Sequence, residues 1–184
     1  NFPTVAHRYP MLSLGNSYSR EEVAEFVERV QREIGTVTFV RELKYDGVAI
    51  SLTYQDGRLI RGVTRGDGEK GEEVTANVRT IRSIPLILRG ADHPALFEVR
   101  GEVVFTRKQF DRLNRQREDA GEELYANPRN TAAGTLKLQD PKEVARRGLE
   151  NFIYGIQGDR LPERSHYANI LRAKAWGFRT PDPA

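Results

Sequence analysis

Hydrophobic positions repeat at helical spacing near the start of the chain. They follow Ser19 and Glu22, which are spaced as a helix-capping box, and they stop at Gly35, a residue typical of a helix C-terminus. The repeating positions are Val23, Phe26, Val27, Val30 and Ile34. This pattern predicts an amphipathic helix whose apolar face packs against the rest of the protein.

After residue 35 the pattern changes to the β-branched and aromatic runs that are typical of strands. Asp56-Gly57 separates two such runs and predicts a hairpin, while Thr106 and Ser165 predict the starts of two helices. The predicted strands cover residues 36–40, 48–54, 58–63, 96–105 and 151–156, with an extended lead-in over 1–18 and a loop over 125–135. Local hairpins mixed with helices predict an α+β fold with antiparallel sheets and flanking helices.

The composition is typical of a charge-rich globular protein. Among the 184 residues, 29 Lys and Arg against 26 Asp and Glu give a net charge of +3, which permits a nucleic-acid partner without requiring one. The chain has no Cys, which excludes a disulfide scaffold, a Cys-ligated zinc site and a thiol nucleophile. No run approaches ~18 apolar residues, so we expect no membrane span and a cytoplasmic location. Because the first residue is Asn1, we expect a piece of a longer chain.

Charged residues alternate with apolar ones in two segments that resemble strands. In residues 42–46 an acid, a base and an acid are expected on one face, and the same order recurs in residues 98–102. Gly47 follows the first segment and Gly101 lies inside the second, although glycine weakens a strand unless a turn or a close approach requires it. The pattern therefore allows either a solvated sheet face or a polar catalytic cleft.

Lys44 has carboxylates on both sides in the sequence, which suggests a specific chemistry. A nucleophilic lysine has to lose its proton, and this requires burial, neighbouring positive charge or a base. Glu42, Asp46 and Glu102 are candidates to orient the amine or accept its proton. Arg65 lies in a glycine-rich turn from which a guanidinium could reach phosphate oxygens, although an ordinary turn is the better explanation of this segment taken alone.

Several motifs, taken together, resemble the NAD⁺-dependent DNA ligases of bacteria. Lys44-Tyr45-Asp46-Gly47 looks like the KxDG motif of covalent nucleotidyltransferases, and the surrounding motifs match the ligases in order and spacing. These are residues 11–14, 42–44, 64–69, 77–81, 98–103 and 126–136, and the last is a segment that ATP-dependent ligases lack. The resemblance covers roughly residues 7–178 and implies a truncated nucleotidyltransferase fold, of the type found in DNA ligases and mRNA capping enzymes.

The resemblance also implies roles for individual residues. Lys44 matches the lysine that attacks the adenylyl phosphorus of NAD⁺ and becomes lysyl-AMP, and Asp46 matches the aspartate of the same motif. The remaining matches are Ser13, Leu14 and Glu42 for adenine, Arg65 and Glu102 for the sugar and phosphate, Tyr154 for stacking on adenine, and Arg129 and Lys137 for DNA. Mg²⁺ is implied as a cofactor and nicked double-stranded DNA as the partner of a bacterial, nucleoid-associated monomer involved in replication and repair.

Two positions and several whole segments depart from the family pattern. Lys137 stands where arginine is usual, and Gly15 stands where aspartate is usual. We expect residues 1–184 to be a single partial adenylation domain, with a lead-in and first helix over 1–35 and a sheet core over 36–184. The resemblance implies that several parts of such a ligase lie outside these residues. They are two downstream lysine motifs, the nicotinamide-binding segment, a zinc-bearing module and other ligase domains. We therefore expect the chain alone to bind NAD⁺ weakly and to ligate little.

Three alternative functions remain open at this stage. An ATP-dependent ligase or a capping enzyme would share the KxDG lysine but not residues 126–136. A non-catalytic nucleotide- or DNA-binding module would not need the complete set of charged residues around Lys44. A purely structural sheet domain would leave the alternating charges unexplained.

Overall fold

A four-stranded antiparallel sheet forms the centre of the fold, with the strand order β3-β2-β5-β6. The computed structural model describes residues 2–181. The central strands are β2 (Val48–Gln55), β3 (Arg58–Thr64), β5 (Leu96–Val104) and β6 (Glu150–Gln157). A second sheet pairs β1 (Thr4–Ala6) with β4 (Lys70–Glu72), also antiparallel. The predicted α+β fold with antiparallel sheets and helices is confirmed.

Six helices accompany the sheets in the described part of the chain. They are α1 (Arg20–Ile34), α2 (Thr75–Val78), α3 (Arg107–Asp119), α4 (Pro128–Leu136), α5 (Pro141–Arg147) and α6 (His166–Ala175). The predicted caps are confirmed at Ser19, Thr106 and Ser165, whose side chains each accept a backbone N–H from the first turn. None of these helices combines the length and apolar character needed to cross a bilayer.

The hairpin between β2 and β3 forms as the sequence predicts. Asp56 and Gly57 have φ of 48° and 72°, which matches the tight turn that Asp-Gly favours. On one face of the sheet, Leu52 lies opposite Val99 and Tyr54 opposite Phe97, and all four side chains are buried. Helices pack on this face and complete the hydrophobic core through Val78, Leu136, Val144 and Trp176.

The opposite face of the same sheet is polar and also buried. Ser51 lies opposite Arg100 and Thr53 opposite Glu98, and each of these residues is at most 5% exposed. The alternation predicted for residues 98–102 is therefore correct, but a solvated face is the wrong interpretation of Glu98 and Arg100. The lead-in segment reaches this face, since Arg100 donates a hydrogen bond to the carbonyl of Tyr9.

Three predicted elements are wrong. Residues 36–40 and 42–46 do not form strands, because no described strand pairs with them, and β-propensity without a pairing partner does not make a ladder. The predicted loop over 125–135 contains α4, in which Asn127 is the N-cap and Pro128 the first helical residue. This Asn-Pro pair is a favourable helix start, and the buried residues of α4 recur at helical spacing.

The first helix forms but does not pack as predicted. It has the predicted bounds, yet none of its residues is buried. Phe26 on this helix makes an edge-to-face contact with Phe39, with ring centroids 6.2 Å apart. The apolar face predicted from the sequence therefore remains exposed, and Val23, Phe26 and Ile34 are all large exposed side chains.

Candidate functional site

The Lys44-to-Gly47 segment lies in a loop that is held against β5. The backbone N–H of Gly47 donates to Oε1 of Glu102 at 3.2 Å. A Cβ at Gly47 would lie 2.2 Å from the carbonyl oxygen of Val103, so only glycine allows this close approach. The loop thereby places Lys44 and Asp46 at the surface next to Glu102.

Charges of both signs surround Glu102. Burial raises the pKa of this carboxyl group, and the nearby charge of Asp46 raises it as well. The Gly47 N–H and the positive charges of Lys44 and Arg129 act in the opposite direction. Arg129 also lies 3.5 Å from the Asp46 carboxylate, so α4 contributes a cation to the same cluster. Lys44, Asp46, Glu102 and Arg129 form what we call the Glu102 cluster.

Aromatic side chains on β6 border this loop. Tyr45 stacks on Phe152, with ring centroids 4.2 Å apart and nearly parallel planes. The β5–β6 register shifts between Arg100 and Gly101, and Tyr154 is the residue left over by the shift. Such bulges are over-represented next to active sites, where they redirect a side chain. Burial and the charge of Glu102 raise the pKa of Tyr154.

Arg65 connects the lead-in segment to the site. Its side chain lies 3.5 Å from the hydroxyl of Ser13, and its backbone carbonyl accepts a hydrogen bond from Nε2 of His7 at 3.0 Å. The backbone N–H of Met11 donates to the carbonyl of Gly68 at 2.8 Å. The positive charge of Arg65 partly opposes the rise in the pKa of Tyr154 that burial causes. These contacts bring Ser13 and Arg65 to the side of the sheet on which Tyr154 lies.

Glu42 and Lys137 each contact a polar partner that the sequence did not suggest. Glu42 is 3.1 Å from Nε2 of His166, the first residue of α6. Lys137 pairs with Glu72 on β4. Charge and spacing alone do not reveal either pair, because both join segments that are distant along the chain.

A buried ionic network under the lead-in is a further feature that sequence reasoning did not assign. Arg100 lies 3.2 Å from Glu98, and the two side chains are 6% and 3% exposed. Glu98 also accepts hydrogen bonds from the hydroxyls of Ser51 and Thr53, at 3.0 and 3.4 Å. Burial lowers the pKa of Arg100, and the charge of Glu98 opposes this effect. The alternating charges of residues 98–102 were the one feature of the sequence that pointed to this network.

Comparison with known proteins decides the family. Residues 1–183 match the family described as the NAD-dependent DNA ligase adenylation domain. The chain belongs to this family. It is 55% identical over 182 residues to a DNA ligase of Parabacteroides distasonis, and 53% identical over 180 residues to a DNA ligase of Bacteroides fragilis. These alignments cover 98% and 97% of the chain, which spans about 27% of the length of either relative.

Within this member of the adenylation domain family, the structure groups most of the residues singled out in the sequence. The Glu102 cluster joins Lys44, Asp46, Glu102 and Arg129, and Tyr154 links that cluster to Arg65 and Ser13. Leu14 is 77% exposed. Lys137 pairs with Glu72, which is not a member of the Glu102 cluster.

Proposed function

We propose that this adenylation domain chain forms a lysyl-AMP from NAD⁺ at Lys44 and passes the AMP to the 5′-phosphate of a DNA nick. The observation that carries the proposal is the Glu102 cluster, which unites the motif lysine with two carboxylates and an arginine in a member of this family. We also infer a nucleotidyltransferase fold, to which the antiparallel sheet and the site beside β5 and β6 correspond.

The first step requires a neutral lysine amine. Its lone pair forms a bond to the adenylyl phosphorus, the bond from phosphorus to the nicotinamide mononucleotide oxygen breaks, and the amine loses a proton to a carboxylate or to water. Asp46 and Glu102 are the nearest candidates to receive that proton. The raised pKa of Glu102 suits proton acceptance, because a carboxyl group holds a proton more readily when its pKa is raised.

The binding of NAD⁺ is proposed for five residues, of which Tyr154 lies near this cluster and Arg65 near Tyr154. Tyr154 provides an aromatic ring for stacking on adenine, and its position at a bulge supports that role. Arg65 provides an exposed guanidinium for phosphate or sugar, with Ser13 beside it. Glu42 provides a carboxylate acceptor for the adenine amine, and Leu14 provides an exposed apolar surface.

Arg129 is the stronger candidate for contact with DNA. Its side chain is 60% exposed and its partner Asp46 is more exposed still, so a phosphate can replace that partner at small cost. Lys137 pairs with Glu72, and a DNA phosphate would have to compete with that carboxylate. Lysine also lacks the forked donors that bind phosphate in a bidentate manner.

Mg²⁺ fits this site only as an ion shared with phosphate. Among residues 2–181, no group of three or more His, Cys, Asp or Glu side chains is arranged to hold a metal. Mg²⁺ is commonly bound through one or two carboxylates plus substrate phosphates, and Asp46 and Glu102 could supply those carboxylates. When bound, the ion would neutralise charge that builds on phosphoryl oxygens.

The proposal is tested by following labelled AMP through the reaction. NAD⁺ labelled in the adenylyl phosphate is given to the longest natural polypeptide that contains this sequence, and nicked DNA is added afterwards. We expect label on the protein first and then on the DNA 5′ end, with transfer to DNA reduced in Arg129→Ala and less so in Lys137→Ala. Lys108→Ala, at an exposed lysine to which the proposal gives no role, is the control. Label that never reaches the protein would refute the proposal.

A further inference from the structure

A hydrogen bond joins Glu42 to a residue far along the chain, His166. Nε2 of His166 donates to Oε1 of Glu42 at 3.1 Å, across 124 positions of sequence. The Glu42 side chain is 18% exposed and that of His166 is 48% exposed. The hydrogen bond from His166 uses only Oε1, and a carboxylate has a second oxygen that can also accept.

The two partners differ in how firmly their own segments are held. His166 begins α6, which Ser165 caps and whose residues Ile170 and Ala173 are buried in the protein. Glu42 lies in the segment before β2, where no described strand supplies ladder hydrogen bonds. A carboxylate on such a segment has many orientations available, and a hydrogen bond from a packed helix restricts them.

We propose that His166 is a positioning residue that orients Glu42 to read the amino group of adenine. The inference rests on the proposed function, in which Glu42 accepts a hydrogen bond from the adenine amine of NAD⁺. With Oε1 accepting from His166, Oε2 would be the atom that accepts from the adenine amine. Orienting the acceptor before NAD⁺ binds lowers the ordering cost of binding, so the effect belongs to recognition of adenine rather than to the chemical step.

The test compares three variants at two substrates. His166→Ala removes the donor, His166→Gln retains an N–H donor, and Tyr167→Ala is the matched control on the next exposed residue of α6. Each is made in the longest natural polypeptide that contains this sequence. The rate of Lys44 adenylylation is measured against concentration of NAD⁺ and of its analogue that carries hypoxanthine in place of adenine, which lacks the amino group.

We expect His166→Ala to raise KM for NAD⁺ about fivefold, the size of one typical net hydrogen bond, with kcat within about twofold of wild type. His166→Gln should restore KM, Tyr167→Ala should leave it unchanged, and the hypoxanthine analogue should not distinguish His166→Ala from wild type. A merely structural role would affect both substrates alike.

The outcomes separate this inference from the function on which it rests. A wild-type protein that adenylylates Lys44, together with an unchanged KM in His166→Ala, would overturn only the role of His166. An equal rise of KM for both substrates would do the same. A wild-type protein that forms no adduct from NAD⁺ would overturn the proposed function, and the role of His166 with it.

Discussion

Replacing Arg100 with methionine should destabilise the protein by about 3–5 kcal/mol, the usual cost of removing one partner from a buried ion pair. Both partners are almost inaccessible, with Arg100 and Glu98 only 6% and 3% exposed and 3.2 Å apart. Methionine keeps much of the side-chain length but none of the charge. Glu98 would keep the hydroxyls of Ser51 and Thr53, which are neutral donors and do not replace a cation.

Urea unfolding followed by tryptophan fluorescence measures this change. The chain has one tryptophan, Trp176, and its side chain is buried in the core, so its emission reports loss of packing. With a slope of about 2 kcal/mol per molar urea, the predicted loss lowers the midpoint by about 1.5–2.5 M. Arg107→Met is the matched control, because Arg107 is exposed and should change the midpoint little.

The double variant Glu98→Met, Arg100→Met separates charge from packing. Once both charges are gone, no uncompensated carboxylate remains, and most of the lost stability should return. The reasoning fails if Arg100→Met lies within about 1 kcal/mol of wild type, or if removing Glu98 as well recovers nothing.

Three further predictions use the same unfolding assay or, for α1, hydrogen exchange of backbone amides. Gly47→Ala should lower the free energy of unfolding by about 1–3 kcal/mol, because the new Cβ would overlap the carbonyl oxygen of Val103 on β5. Gly134→Ala, which has open space around it, should be neutral or stabilising, and equal effects of the two substitutions would contradict the prediction. Ser19→Ala should speed hydrogen exchange in α1 by removing its cap without moving the global midpoint, since α1 buries nothing; a shifted midpoint would show that α1 supports the core. Glu102→Gln should stabilise the protein at pH 7 more than at pH 4. Burial raises the pKa of Glu102 in the folded protein. The stability that the wild-type carboxyl contributes is therefore complete below its pKa in the unfolded chain and is lost as pH rises through its pKa in the folded protein. A stability gain in Glu102→Gln that is the same at both pH values would refute this.

Local sequence signals predicted the elements that depend on local chemistry. Asp56-Gly57 predicted the hairpin, and Ser19, Thr106 and Ser165 predicted three helix starts, because turns and caps are made by residues adjacent in sequence. Asn127-Pro128 was an equally local signal that the composition of its segment concealed. The glycines and asparagines around it are typical of loops, yet the helix they belong to has a buried face.

Pairing between distant segments was not readable from the sequence. Residues 36–46 have strand-like composition, but strand formation depends on a free neighbouring edge, which composition does not specify. The apolar spacing of α1 predicted a helix correctly and its packing wrongly, since periodicity indicates a face and not what covers it. The pairs of Glu42 with His166 and of Lys137 with Glu72 likewise depend on tertiary placement.

In the candidate site, too, the sequence indicated residue identities, whereas the tertiary structure determined burial and pairing. Lys44, Asp46, Glu102 and Arg129 came from motifs, and the structure brings these four together at one loop. The ionic pair of Glu98 and Arg100 was visible as alternating charge, but its burial follows from the lead-in that covers it. The roles of the Glu102 cluster in binding and catalysis remain predictions.

The most direct measurement is the intact mass of the protein after incubation with NAD⁺ and Mg²⁺. It is made on the longest natural polypeptide that contains this sequence, beside a Lys44→Ala variant and an arm with ATP in place of NAD⁺. We predict an added mass of one AMP from NAD⁺ alone, carried by the peptide that contains Lys44 and absent from the variant. No adduct from NAD⁺, or an adduct that persists in Lys44→Ala, would contradict the assignment of Lys44 as the nucleophile.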